Sequence, residues 1–117
     1  MKYIVALIRP ERFPAVKQAL SGSDVHLMTT SEVRGCGMQQ GHQEVYFAGK
    51  LRSELLPKIK LEIAVNDSFV EPTINAIVLS GRSGADGAIG DGKIFVFPLE
   101  ECIRIRTGER GSIAIGP

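Results

Sequence analysis

Arg104 and Arg106 stand one isoleucine apart in CIRIR, shortly after the glycine-rich stretch GAIGDGK at residues 87–93. A guanidinium presents a planar fork of donors that matches phosphate oxygens. If CIRIR is a strand, its side chains alternate, so Cys102, Arg104 and Arg106 share one face and Ile103 and Ile105 the other. Two forks on one face suit a polyphosphate better than a single carboxylate. The glycine turn offers the complementary half of such a site. Glycine reaches positive φ at no steric cost, so successive N–H groups around Gly90, Asp91 and Gly92 can converge on an anion, and Lys93 adds a mobile charge. This is not a Walker A loop, because GK[ST] is absent and a strand follows where that motif requires a helix. Each feature also has a plainer reading: a solvated strand edge guarded by two cations, and a hairpin loop with an incidental lysine.

A second glycine cluster, RGCGMQQGH at residues 34–42, opens a long stretch without clean periodicity that runs to residue 55. Gly35, Gly37 and Gly41 allow close backbone approach, and Gln39 offers an amide oxygen to a metal or ligand. Glycines at a loop base also serve as simple hinges. A long irregular segment inside a compact domain tends, however, to be functional or disordered. Tyr46, Phe47 and Leu51 within it favour contact with a partner. His26 and His42 have no second ligand at metal spacing, and no histidine near Cys36 in sequence would make its thiol reactive. No nucleophile and base pairing argues for catalysis.

These residues sit in a chain of 117 residues with 14 Lys+Arg against 13 Asp+Glu, a formal net charge of +1. That length suits one domain with a real core, taken as residues 1–117. So small a net charge gathers neither nucleic acid nor anionic lipid, so any anion site must be local. Cys36 and Cys102 lack CxxC spacing and read as thiols of a reducing compartment. The apolar run YIVALI is broken by Arg9 and Pro10, too short for a signal-peptide core, and no run spans a bilayer. A soluble cytoplasmic protein is expected.

The elements that must position the candidate residues follow from periodicity. Residues 2–8 are continuously apolar after Lys2 and read as a strand covered on both faces. Phe13, Val16 and Leu20 recur at helical spacing after Pro10, predicting a helix near 11–21 with Gly22 as its stop. Residues 25–33 read as a second strand. The clearest strand has Ile59, Leu61, Ile63 and Val65 on one face and Lys58, Lys60 and Glu62 on the other. Ser68 and Glu71 form a capping-box pattern ahead of the stripe Val70, Ile74, Ile77 and Val78, a second helix ending near Gly81. A glycine loop, then KIFVFPL and CIRIR as strands bent at Pro98, complete the chain. The order is βαββαβ with a short extra C-terminal strand: an α+β, ferredoxin-like plan with both helices on one sheet face. The opposite face carries apolar positions from the first and fourth strands, and self-association into a closed ring is expected to bury it.

Taken together and in order, EVRGCGMQQGH, LPKIKLEI, IGDGKIFVFP and IRIRTGE resemble the PII signal transduction family, the trimeric nitrogen- and carbon-status sensors, from Met1 to about Arg110. The resemblance implies a homotrimer with a T-loop at about 37–55, a B-loop at about 82–92 and a C-terminal segment at about 102–117. It implies adenine nucleotide (ATP or ADP) in clefts between subunits, contacted by Gly35, Gly37, Met38, Gln39, Gly90, Asp91, Gly92, Lys93, Arg104 and Arg106. It further implies a 2-oxoglutarate or small-anion site at Gln39, Gln40, Gly41 and Lys58, with Gln39 completing the shell of Mg2+ when ATP is bound. Through the T-loop such a protein regulates a target transporter or metabolic enzyme; it is not an enzyme itself, and it meets a membrane only through a transporter.

Departures from the family pattern sharpen the expectation. Met38 stands where a typical member has arginine, and Ala88 where it has lysine. Each charge-assisted hydrogen bond to phosphate is worth roughly 1.5–3 kcal/mol, so losing two cations should cost ATP more than ADP or AMP. RSGADGAIG looks like an insertion of a few residues in the B-loop. The tyrosine nucleotidylated in many members falls on Leu51, and the position phosphorylated in some cyanobacterial members on Gly49, so neither modification is expected. The arginine some members insert into ammonium channels falls on Phe47. The alternative within the family is therefore a sensor of ADP or AMP with another small anion such as bicarbonate, linked to inorganic carbon uptake. Acylphosphatases share the fold and also bind phosphate with arginine, so fold alone does not settle function.

Overall fold

The computed structural model describes residues 1–36, 44–47, 50–53 and 55–116. Strand β1 (Lys2–Ile8) runs into a 3-10 turn at Pro10–Arg12 and helix α1 (Phe13–Gly22). Next come β2 (Thr29–Gly35), a two-stranded hairpin of β3 (Glu44–Phe47) and β4 (Lys50–Ser53), and the long β5 (Leu56–Val65). A second 3-10 turn at Asp67–Phe69 leads into α2 (Val70–Gly81), followed by β6 (Gly92–Pro98) and the short α3 (Ser112–Ile115). The main sheet is antiparallel throughout, in the order β2-β5-β1-β6. This is the expected ferredoxin-like arrangement.

Alternation explains which residues make the core. Ile4, Ala6 and Ile8 of β1 pair in register with Ile63, Leu61 and Ile59 of β5, so all six face the same way, towards the helices. All but Ile59 are buried, together with Val16 and Leu20 of α1 and Ala76 and Ile77 of α2. Phe13, Ile59, Phe69, Val70 and Ile94 pack around them. The core-facing row of α2 runs through Thr73, Ala76, Ile77 and Gly81. Of the expected stripe, Ile77 is buried, whereas Val70, Ile74 and Val78 are half-buried. Thr73 is tolerated in the core because its hydroxyl donates to the Phe69 carbonyl at 2.6 Å.

The other residues of β1 and β6 form the opposite face. Tyr3 pairs with Phe97, Val5 with Phe95 and Leu7 with Lys93, and no element of the described chain covers them. Phe95 and Phe97 remain 43% and 48% exposed. The β5 side of the same face is polar, with the Tyr3 hydroxyl donating to Glu62 at 2.8 Å. That bond, reinforced by burial and the Glu62 charge, raises the Tyr3 pKa. The reading of β1 as covered on both faces thus holds for one face only within a single chain.

Three local expectations are corrected. The second strand lies at 29–35 rather than 25–33, because Val25 is drawn into the end of α1 by its N–H to the Leu20 carbonyl at 2.9 Å. Neither the 3-10 turn nor α2 has a side-chain cap, so Ser68 and Glu71 do not form a capping box. The N-terminal ammonium instead holds Asp67 at 2.7 Å, and the Asp67 carboxyl is shifted below its ordinary value chiefly by that bond. CIRIR, finally, is not a strand. Ile103 makes a single bridge to Arg110, and the chain turns at residues 105–107 with Gly108 at φ 74° and Gly111 at φ 76°. A strand needs a partner ladder, and β6 is left as an edge instead of being extended by these residues.

Candidate anion-binding site at the glycine turn

The loop from Arg82 to Asp91 joins α2 to β6, and the β1–α1 junction fastens both of its ends. At its entry, Arg12 donates through Nε and Nη2 to the Ser80 carbonyl at 2.9 and 2.6 Å. At its exit, Arg9 donates through Nε to Asp91 Oδ1 at 3.0 Å and through Nη2 to the Ile89 carbonyl at 2.8 Å. The other oxygen of Asp91 turns inward and accepts the N–H groups of Ser83 and Ala88 at 3.0 and 2.8 Å. Burial by itself raises the Asp91 carboxyl pKa. The Ser83 and Ala88 N–H groups, the Ser83 hydroxyl and Arg9 outweigh it and hold the group well below the usual carboxylate range. Asp91 is therefore the loop's internal clamp.

Glycine is required where the turn meets the sheet. Gly92 has φ 113°, and a Cβ there would sit 1.7 Å from the Leu7 carbonyl oxygen. Gly90 has φ 99°. Around this turn lies a cavity of about 500 Å3, lined by Leu7, Arg82, Gly87, Ala88, Gly92 and Lys93 among others. Backbone polar groups and two cations in one hollow can hold an anion. Ala88 lies on the cavity wall, so the turn presents a methyl group there in place of a cation.

Lys58, on β5, reaches the turn from the far side of β1. Its ammonium donates to the Gly90 carbonyl at 2.7 Å, and it also lines a second cavity of about 470 Å3 with Glu32, Arg34 and Pro57. Burial first, and then the nearby Arg9 guanidinium, lower the Lys58 pKa, with Glu11 and Asp91 opposing. A carboxylate ligand brought to Lys58 would favour its charged form.

The remaining candidates fall into three groups. Gly35 ends β2, and among the described residues nothing lies within 4 Å of the place a Cβ would take on it. Gly37, Met38, Gln39, Gln40 and Gly41 lie outside the described residues, as does Gly49; Leu51 lies on β4 opposite Tyr46. Arg104 and Arg106 line neither cavity among the described residues. Arg104 is folded onto the C-terminal segment, pairing with Glu109 at 2.7 Å and donating to the Ile113 carbonyl at 3.0 Å, while Arg106 is exposed on the turn. The shared strand face expected for these arginines does not exist in the single chain, because the strand that would create it is replaced by the turn. Sequence reasoning misses Arg9 and Arg12: neither has a local motif, and each acts on residues far along the chain. Among the described residues no three His, Cys, Asp or Glu side chains gather as a metal site, and no helix is long and apolar enough to cross a membrane.

Residues 1–109 match the family model described as nitrogen regulatory protein P-II. The chain belongs to the P-II family. It is 56% identical over 115 residues to the nitrogen regulatory protein GlnK1 of Methanosarcina mazei, covering 98% of this chain and 97% of that protein. It is 50% identical to the nitrogen regulatory protein P-II 2 of Methanothermobacter thermautotrophicus, with the same coverage. To the nitrogen regulatory protein P-II of Rhodospirillum rubrum it is 45% identical, covering 98% of this chain and all of that protein. P-II proteins are signalling proteins that regulate targets, which places the chain among nitrogen-regulatory signal transducers and leaves the acylphosphatase comparison at the level of fold.

Proposed function

We propose that this P-II protein is a cytoplasmic homotrimer that binds adenine nucleotide, ATP or ADP, at intersubunit clefts together with 2-oxoglutarate, and uses its T-loop to regulate a transporter or metabolic enzyme. The observation that carries the reading is the hydrogen bond from Lys58 to Gly90. The lysine assigned to the small acid by family resemblance rests on the turn assigned to the nucleotide phosphates, so the arrangement one ligand selects there is the arrangement the other meets. Coupling of this kind requires only that each ligand prefer one arrangement of the shared element. Gly35, Gly37, Met38, Gln39, Gly90, Gly92 and Lys93 from one subunit, with Arg104 and Arg106 supplied across the interface, would contact the nucleotide. Asp91 would act by shaping the turn. Gln39, Gln40, Gly41 and Lys58 would hold 2-oxoglutarate, Gln39 also meeting Mg2+ bound with ATP.

Ala88 favours a second reading, in which the ligands are ADP or AMP and a small anion such as bicarbonate, because the cavity wall has a methyl group where the family pattern has a lysine. Titration calorimetry decides between the two. Mutual tightening of Mg-ATP and 2-oxoglutarate supports the first and rules out the second; ADP or AMP tightened by bicarbonate, with no response to 2-oxoglutarate, does the reverse. Nucleotide that neither binds nor raises the melting temperature overturns both.

A further inference from the structure

The loop that separates α2 from the glycine turn carries a cation of its own. Arg82 follows α2 in an extended conformation, φ −69° and ψ 143°, and so turns away from the helix. Its arm lies along Gly87: a Cβ on Gly87 would sit 3.7 and 3.9 Å from Arg82 Cγ and Cδ. Gly87 itself has φ 77°, which keeps that surface bare of a side chain. Arg82 and Lys93 both line the cavity of about 500 Å3 beside the turn. The arginines that fasten the loop are engaged, Arg9 with Asp91 and Arg12 with the Ser80 carbonyl. Among the described residues, Arg82 has no ion-pair partner. Two carboxylates also line the cavity. Asp91 is neutralised by its own contacts, whereas Asp86 is exposed and opposes an anion.

We propose that Arg82 contacts the terminal phosphates of the bound nucleotide and so sets how strongly this chain distinguishes ATP and ADP from AMP. The proposal rests on the reading of the glycine turn as a nucleotide site. It follows from the residues that line the cavity. The turn and Lys93 line the hollow, and Arg82, its stem lying along Gly87, is the one further cation lining it among the described residues. A fork of donors at that place serves oxygens that extend beyond the first phosphate.

The test is calorimetry of the full-length chain with AMP, ADP and ATP, for the unsubstituted protein and for Arg82→Gln, Arg82→Lys, Asp86→Asn and Lys17→Gln. Loss of one charged hydrogen-bond donor predicts that Arg82→Gln weakens ATP about tenfold and AMP by less than about threefold. Arg82→Lys keeps part of the difference, Asp86→Asn tightens ATP, and Lys17→Gln, which removes the same charge from the exposed side of α1, changes nothing. Unsubstituted protein that binds nucleotide while Arg82→Gln binds ATP equally well overturns this contact alone. So does an equal loss for all three nucleotides, or an equal effect of Lys17→Gln. An unsubstituted chain that binds no nucleotide overturns this contact and the nucleotide reading together.

Discussion

A carboxylate at the centre of an anion-binding turn should repel the ligand, and Asp91 shows how a protein can keep one there. Both of its oxygens are turned to groups of the chain, two N–H groups on one side and Arg9 on the other, so its charge is spent on loop geometry. Its folded pKa lies below the unfolded value of about 3.9, so its ionised form contributes stability that is fully present above that value. The contribution is lost as the pH falls below about 4 through the folded pKa. Asp91→Asn is therefore expected to destabilise the protein by about 1–3 kcal/mol at neutral pH, through two N–H donors and one guanidinium left poorly matched. Urea unfolding should show the gap to the unsubstituted protein narrowing towards pH 3; a gap of constant size would show that Asp91 is no clamp. At this scale the sequence is half legible. Lys93 and the glycines announce themselves through residue type and local spacing. Arg9 does not, since its role depends on a partner 82 positions away that only the fold brings within reach.

Elements are readable where one periodicity dominates. Lys58 to Val65 alternate cleanly, and β5 follows them with Leu61, Ile63 and Val65 buried. CIRIR alternates too, yet alternation states only which faces a strand would have, not that a neighbour exists to pair with it. The glycines at 108 and 111, both left-handed here, are the signal that the segment turns back. Gly92 shows the converse, a glycine on which an element depends. It opens β6 opposite Ile8, and its positive φ is combined with a backbone approach that leaves no space for a methyl group. Gly92→Ala should cost more than about 3 kcal/mol, adding a backbone clash to left-handed strain of about 1–3 kcal/mol, and lower the melting temperature by roughly 10 °C. Gly84→Ala is the reference: its φ is 74° but nothing among the described residues lies within 4 Å, so it should lose only about 1 kcal/mol. Equal losses for the two variants would mean that strain alone matters and that the Leu7 contact relaxes away.

For the whole molecule, the decisive feature is the sheet face that the single chain leaves open. Its apolar half is foreseeable from the runs in β1 and β6, and so is the need for a cover, whereas the residues that would supply that cover are absent from one chain's periodicity. Val5, Leu7, Phe95 and Phe97 would be an aggregation hazard if they stayed wet, and the proposed ring of three copies would remove the hazard without leaving an open end. Burying a phenylalanine fully is worth about 1.5–3 kcal/mol, and both rings are still close to half exposed. A charge placed among them must either be buried without a partner or force the copies apart. Phe95→Arg is thus expected to convert a trimeric mass to a monomeric one in light scattering after size exclusion, with circular dichroism unchanged because the core lies on the other face. Leu79, 72% exposed on α2, provides the control: Leu79→Arg should leave the trimer intact. Nucleotide affinity should fall with the trimer in Phe95→Arg, since Arg104 and Arg106 line neither cavity of their own chain and are proposed to reach the turn from a neighbour. A Phe95→Arg monomer that binds nucleotide at full strength would place the whole site within one chain and remove that role from both arginines.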